Sequence, residues 1–350
     1  MYKRIVVKVG SSFIAPQGQI DRCRVRNLID DIVALTEKGK KVVLVSSGAI
    51  ACGLAFSGYK RRPQNLTSLM ALASLGQVAL MDVYNRKLKK YGKVCGQVLL
   101  TWDDFNQRSR YVNGRETIEK LFQLKAVPII NENDAISSEE IKFGDNDKLG
   151  ALVSDMIGAD LLLILTNVKG LMDMESKTLI ETVDNIDEAA GHVRANNGEF
   201  TVGGMSTKLE AARIAVSAGI TTVIADGREK NILTRIVSGE KTGTRFNPGK
   251  KKSPARKRWI AFGKKSRGSI IVDEGAGQAL LNRGKSLLAC GIVRTEGEFL
   301  SHDSVEVRDQ SGNLIGRGLV EYPSAALQDT KIKCFEKEVI HRNNFVKADT

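Results

Sequence analysis

The sequence predicts an α/β fold: a three-layer sandwich with a mostly parallel central sheet, followed by a small mostly-β barrel. Three observations predict it. Over residues 1–240, short and almost wholly apolar β-type runs alternate with segments whose apolar residues recur at helical spacing. That is the pattern of strands buried on both faces by crossover helices. From Lys241 to Gly268 no acidic residue occurs, while Lys250-Lys251-Lys252, Arg256-Lys257-Arg258 and Lys264-Lys265 crowd together, which marks a linker. Beyond it, β-type runs separated by Gly-rich turns replace the βα rhythm.

Taken in order, Ile5–Val9 is a short β-branched strand closed by Gly10-Ser11-Ser12. Val25–Leu35 carries Val25, Leu28, Ile29, Ile32 and Val33 on one helical face. Lys41–Val45 is a strand closed by Ser46-Ser47-Gly48, and Leu66–Leu88 is a long helix. Val94–Leu100, Val127–Ile130, Leu161–Leu165 and Thr221–Ala225 are further strands. Arg115–Leu124, Lys148–Ile157 and Thr207–Ala218 supply the helices between them. In the C-terminal part, Trp259–Phe262, Ser269–Val272, Ser304–Arg308 and Leu314–Val320 read as strands beside a single helix, Ala276–Asn282. The expected organisation is a first domain over residues 1–248, a basic linker over 249–257 and a small domain over 258–345.

A chain of 350 residues has room for these two domains, and 42% hydrophobic with 27% charged residues is ordinary globular composition. No apolar run is expected to cross a bilayer, and Tyr2–Val7 enters a strand without the apolar core of a signal peptide; a cytoplasmic protein is expected. The five cysteines are scattered with no C-x-x-C pair, which argues against a disulfide framework and a zinc site. Three histidines far apart in sequence make a histidine metal centre or a Ser–His relay a poor expectation. The formal net charge of +13 suits an anionic partner.

Four strand ends carry chemistry. Lys8-Val9-Gly10-Ser11 puts an ammonium beside backbone N–H donors, which suits nucleotide phosphates, although no P-loop is present. Ser46-Ser47-Gly48 is a turn of small residues that lets a ligand approach the backbone, or a tight turn capped by Ser47. Asn131-Glu132-Asn133-Asp134 and Gly144-Asp145-Asn146-Asp147 gather amides and carboxylates at a density a core does not bury unpaired. Asp134 suits an amine, Asn131 and Asn146 suit carboxylate or amine groups, and Asp147 is placed to hold lysines. Val202-Gly203-Gly204-Met205-Ser206-Thr207-Lys208 opens a helix; a lysine in a first turn is disfavoured by the helix dipole unless an anion offsets it.

In this order, the four motifs resemble the amino acid kinase family. The pair Ile130–Asp134 and Gly144–Asp147, with Gly203–Lys208, is similar to the branch that phosphorylates the side-chain carboxylate of glutamate. Gly268–Ala276 and Gly316–Val320 resemble a PUA domain. The resemblance implies ATP with Mg2+, L-glutamate as acceptor, and L-glutamyl 5-phosphate as product on the way to proline. It implies that Lys8 and Lys208 stabilise the moving phosphoryl group and that Asp147 organises them. Ser47, Asn131, Asp134 and Asn146 would hold glutamate. Gly10, Ser11, Thr166, Asn167 and Val202–Lys208 would line the ATP site. Proline as inhibitor, a glutamyl phosphate reductase as pathway partner and a homo-oligomer are expected with it. Thr166-Asn167 and Thr201-Val202 depart from the family's usual residues on the nucleotide side.

Two other readings compete. A kinase for a nucleoside monophosphate or aspartate would use the same fold, but a phosphate acceptor calls for arginines where this chain has amides and carboxylates. An RNA-binding protein is consistent with the basic linker and a PUA-like barrel. Aromatic residues, at 5%, do not interleave with the basic ones, so specific RNA binding is not expected.

Overall fold

The computed structural model describes residues 2–59, 61–137, 146–173, 176–186, 189, 204–249, 254–263, 266–328 and 337–348. Gly144, Asp145, His192, Thr201, Val202, Gly203, Cys334 and the lysines 250–252, 264 and 265 lie outside the described residues. The chain divides into two compact units, Met1–Lys252 and Ser253–Thr350.

The first unit is built on one eight-stranded sheet. Its strands are β1 (Arg4–Val9), β2 (Lys41–Ser46), β3 (Cys95–Leu100), β4 (Val127–Glu132), β5 (Leu161–Thr166), β6 (Thr182–Val183), β7 (Thr221–Asp226) and β8 (Thr244–Phe246), in the spatial order β3-β4-β2-β1-β5-β7-β8-β6. Every pairing is parallel except β7 with β8. Register aligns Lys8 with Val45 on one side and with Ile164 on the other. Strands β2 to β4 lie on one side of β1, and β5 onward on the other. The crossovers therefore reverse at β1, where α/β sheets bind ligands beyond their strand C-termini.

The helices are α1 (Ser11–Ile14), α2 (Arg22–Glu37), α3 (Ala49–Leu54), α4 (Leu66–Lys89), α5 (Trp102–Asn106), α6 (Arg108–Gln123), α7 (Asp147–Met156), α8 (Met205–Ser217) and α9 (Ile232–Ser238). Ile5, Val7 and Val9 of β1 pack with Val25, Ile29 and Ile32 of α2 and with Leu80, Tyr84 and Leu88 of α4 in one buried cluster. Asp21 starts α2 by accepting from the N–H groups of Cys23 and Arg24 at 3.0 Å each. Helices α3 and α4 meet backbone to backbone at two glycines. A Cβ on Gly53 would lie 2.0 Å from the Leu72 carbonyl oxygen, and one on Gly76 would lie 1.8 Å from that of Ala49.

The second unit has a five-stranded sheet of β9 (Gly268–Val272), β10 (Ile292–Glu296), β11 (Ser304–Arg308), β12 (Leu314–Leu319) and β13 (Phe345–Lys347), in the order β10-β9-β11-β12-β13. Only β9 with β11 is parallel. Its core gathers Ile270, Val272, Leu280, Val305, Val307 and Ile340. Helices α10 (Ala255–Arg258), α11 (Glu274–Arg283) and α12 (Ser324–Gln328) complete it.

Four expectations need correction. Trp259–Phe262 is not a strand: Trp259–Gly263 is a single π-helical turn continuing α10. A short apolar run does not by itself distinguish strand from helix. Helix α6 begins seven residues before Arg115, because Tyr111 and Val112 stand side by side in its first two turns and set no helical apolar period. The second unit has more than one helix, and β10 and β13 complete its sheet. By length and composition alone, α4 is apolar enough to cross a bilayer. It serves here as a core helix, burying Leu69, Leu72, Ala73, Gly76, Gln77, Leu80, Tyr84 and Leu88.

The glycine contact gives a stability prediction. Gly76→Ala forces α3 and α4 apart and lowers the urea midpoint by the equivalent of about 1–3 kcal/mol, the usual cost of overpacking. An unchanged midpoint would show that the helices separate freely.

Candidate active site

Lys8 is a charged residue among the apolar residues Ile5–Val9 of β1 and is 2% exposed. Asp147, fully buried, opens α7. Gly150, one turn on, lets α7 sit against β1: a Cβ there would lie 3.3 Å from Lys8 Cβ. Lys8 Nζ reaches Asp147 Oδ1 at 2.5 Å, and Lys208 Nζ from the first turns of α8 reaches Asp147 Oδ2 at 3.0 Å. Thr207 Oγ1 also donates to Oδ2, at 3.3 Å. The two lysines, 200 residues apart in sequence, thus converge on one carboxylate. Two ammoniums and a carboxylate buried together stabilise one another where each alone would be costly. The carboxylate itself is favoured at a helix N-terminus.

Next to this cluster a chain of side-chain amides runs across the strand ends. Asn146 Nδ2 donates to Asn131 Oδ1 at 2.7 Å, to Ser47 Oγ at 3.0 Å and to the Ser46 carbonyl at 2.9 Å. Asn131 Nδ2 donates to Gln77 Oε1 at 2.8 Å, and Gln77 Nε2 to Gln97 Oε1 at 3.2 Å. Ser46 Oγ is joined to the hydroxyl of Tyr84 at 2.8 Å. Each bond fixes the next, so the amides keep one orientation. The Oδ1 atom of Asn146 is buried and has no hydrogen-bond partner. As an acceptor it is complemented by a donor such as an ammonium.

A cavity of about 210 Å³ opens onto these groups, lined by Ser11, Ser47, Asn131, Asp134 and Asn146, by Gly48–Ala51 and Leu54 of the turn into α3, and by Gly18 and Arg62. Gly48, at φ +107°, takes the N-cap position of α3, so Ser47 is released from capping and its hydroxyl is spent on Asn146. Burial pushes the Asp134 carboxyl up to about 6, with the Arg62 guanidinium opposing that shift.

Of the sequence-predicted residues, Lys8, Asp147 and Lys208 meet directly, and Ser47, Asn131, Asp134 and Asn146 share the cavity with Ser11. Gly10 lies beside the lysine: a Cβ there would be 3.7 Å from Lys8 Nζ. Asn167 Nδ2 donates to Ser12 Oγ at 3.2 Å, tying the end of β5 to the start of α1, and Gly227 N–H donates to the Thr166 carbonyl at 2.9 Å. Gly204 caps α8, and Met205, Ser206 and Thr207 form its first turn, with Thr207 Oγ1 returning to the Gly204 carbonyl at 2.9 Å. Sequence reasoning missed Gln77, Tyr84 and Arg62. Gln77 carries a signal: it is a polar residue in the middle of the apolar face of α4.

The fold agrees with comparisons to known proteins. The model of the amino acid kinase family matches residues 3–226, and that of the PUA domain matches residues 268–342. The chain belongs to the amino acid kinase family and carries a C-terminal PUA domain. Its curated relatives narrow the branch. Glutamate 5-kinase of Caldanaerobacter subterraneus subsp. tengcongensis is 42% identical, over 98% of this chain and 97% of that one. Glutamate 5-kinase of Methylococcus capsulatus is 41% identical over the same shares. Among solved structures, carbamate kinase from Giardia lamblia bound to AMP-PNP matches with a TM-score of 0.50 at 20% identity. It covers 71% of this chain and 99% of its own, and it supports the fold alone.

The Asp134 shift has a defined sign. A carboxyl raised from 3.8 to about 6 contributes stability that is full below the unfolded value and is lost as pH rises through the folded one. Asp134→Asn therefore raises the unfolding temperature above about pH 6, and the gain closes toward pH 4. Thermal melts of both proteins across that range check it; a gain independent of pH contradicts the assignment.

Proposed function

We propose that the chain transfers the γ-phosphoryl group of ATP to the γ-carboxylate of L-glutamate, giving L-glutamyl 5-phosphate, the first step of proline biosynthesis. The observation that carries the mechanism is the pair of buried lysines on Asp147, adjoining a cavity of amides and one carboxylate. A carboxylate nucleophile is already ionised at neutral pH, with a reference pKa of about 4.3. No general base is required. The barrier is repulsion between a carboxylate and a polyanionic phosphate, so catalysis consists of positioning and charge neutralisation.

In this reading Lys8 and Lys208 draw the transferring phosphoryl group, and Asp147 holds both ammoniums so that they do not swing away. Ser47, Asn131, Asp134 and Asn146 hold the amino acid. Gly10, Ser11, Thr166, Asn167 and the segment Val202–Lys208 form the nucleotide side. Mg2+ enters as part of the ATP complex, carried by the phosphates. Residues 1–248 supply the reaction, with 249–257 as linker and 258–345 as the PUA domain.

The product is an acyl phosphate, prone to hydrolysis and cyclisation, so a glutamyl phosphate reductase is the partner that consumes it. Proline, with an ammonium and a carboxylate of its own, suits the same cavity as inhibitor. A homo-oligomer and a cytoplasmic location are part of the same reading.

Hydroxylamine trapping tests the reaction: with ATP and Mg2+, hydroxamate forms with L-glutamate and not with L-aspartate. Lys8→Ala and Lys208→Ala each lower kcat by about 10²–10³-fold, as loss of one preorganised donor does. Near-wild-type turnover in folded protein of either variant rejects the roles given to the lysines.

A further inference from the structure

Arg62 is unused by the mechanism above. It lies on the exposed segment between α3 and α4, in Arg61-Arg62-Pro63, and lines the same cavity as Asp134. The two opposite charges influence one another, yet no ion pair is formed between them. Two unlike charges facing one small cavity across a gap complement a zwitterion, whose ammonium and carboxylate sit on a single carbon. The apolar stretch of Ile50, Ala51 and Leu54 on the cavity wall suits the methylenes that follow.

We propose that Arg62 is a specificity-determining residue that binds the α-carboxylate of the amino acid. Asp134 takes the α-ammonium, with Asn146 Oδ1 as its second acceptor. This inference rests on the proposed glutamate reading and deepens it. Arg62 selects the charged α-amino-acid head, while the buried lysines act on the far carboxylate. A guanidinium suits this task because its forked donors match both carboxylate oxygens. Its exposure at the rim means that the bond forms as the ligand closes off water, so it affects capture of the acceptor rather than the chemical step.

The test is a graded series in the hydroxamate assay: Arg62→Lys, Arg62→Gln and Arg62→Glu. The expected result is a KM for L-glutamate that rises in that order, by about tenfold or more for Gln, the scale of a lost charge-assisted hydrogen bond. The kcat stays within about twofold, and KM for ATP is unchanged. The preference for L-glutamate over its α-amide, as a ratio of kcat/KM, narrows in Arg62→Gln. Unchanged KM for L-glutamate in the Gln and Glu variants, or an unchanged preference over the α-amide, overturns the assignment while leaving the kinase reading intact. Absence of hydroxamate from wild-type protein with L-glutamate overturns both.

Discussion

One buried carboxylate serving two ammonium groups is the constraint on which the first unit depends. Asp147 has a turn of helix behind it, Lys8 in the sheet on one side and Lys208 on another helix on the other. None of the three is tolerable alone at that depth, since an isolated buried charge costs several kcal/mol. Together, each is compensated by another. Strand order, the close approach at Gly150 and the entry of α8 all serve to bring those three atoms together.

The amide chain plays the complementary part. It contains no charge, and Asn131 and Asn146 bring it to the wall of the cavity. Asn146, Asn131, Gln77 and Gln97 each donate one hydrogen bond to the next, and the Ser46 hydroxyl is joined to that of Tyr84. A polar wall of this sort is rigid because turning any one amide would strand its neighbours' donors and acceptors.

Much of this was legible in the sequence. A lysine interrupting Ile5–Val9 and an amide-rich stretch after an apolar strand mark a site wherever the chain goes next. Strand periodicity gave the parallel sheet, because strands buried on both faces read as continuous apolar runs. Convergence was not legible from composition or spacing: it depends on β1 lying between β2 and β5, which is a property of long-range pairing. Tyr84 fits the apolar period of α4, Gln77 only interrupts that period, and Arg62 is one of many exposed cations. The π-helical turn at Trp259 was misread because four apolar residues fit either period. The opening turns of α6, with adjacent Tyr111 and Val112 and no apolar period, hid its true start.

The contact between α3 and α4 carries a consequence for how such a pocket diversifies. Helices touching through main-chain atoms at Gly53 and Gly76 behave as one welded wall, with no side chain left to trim and no slack to take up. A lineage seeking a roomier or narrower chamber would gain little from that wall. The adjustable parts are the exposed segments carrying Asp134 and Arg62, where one substitution changes size or charge without disturbing the main-chain seam.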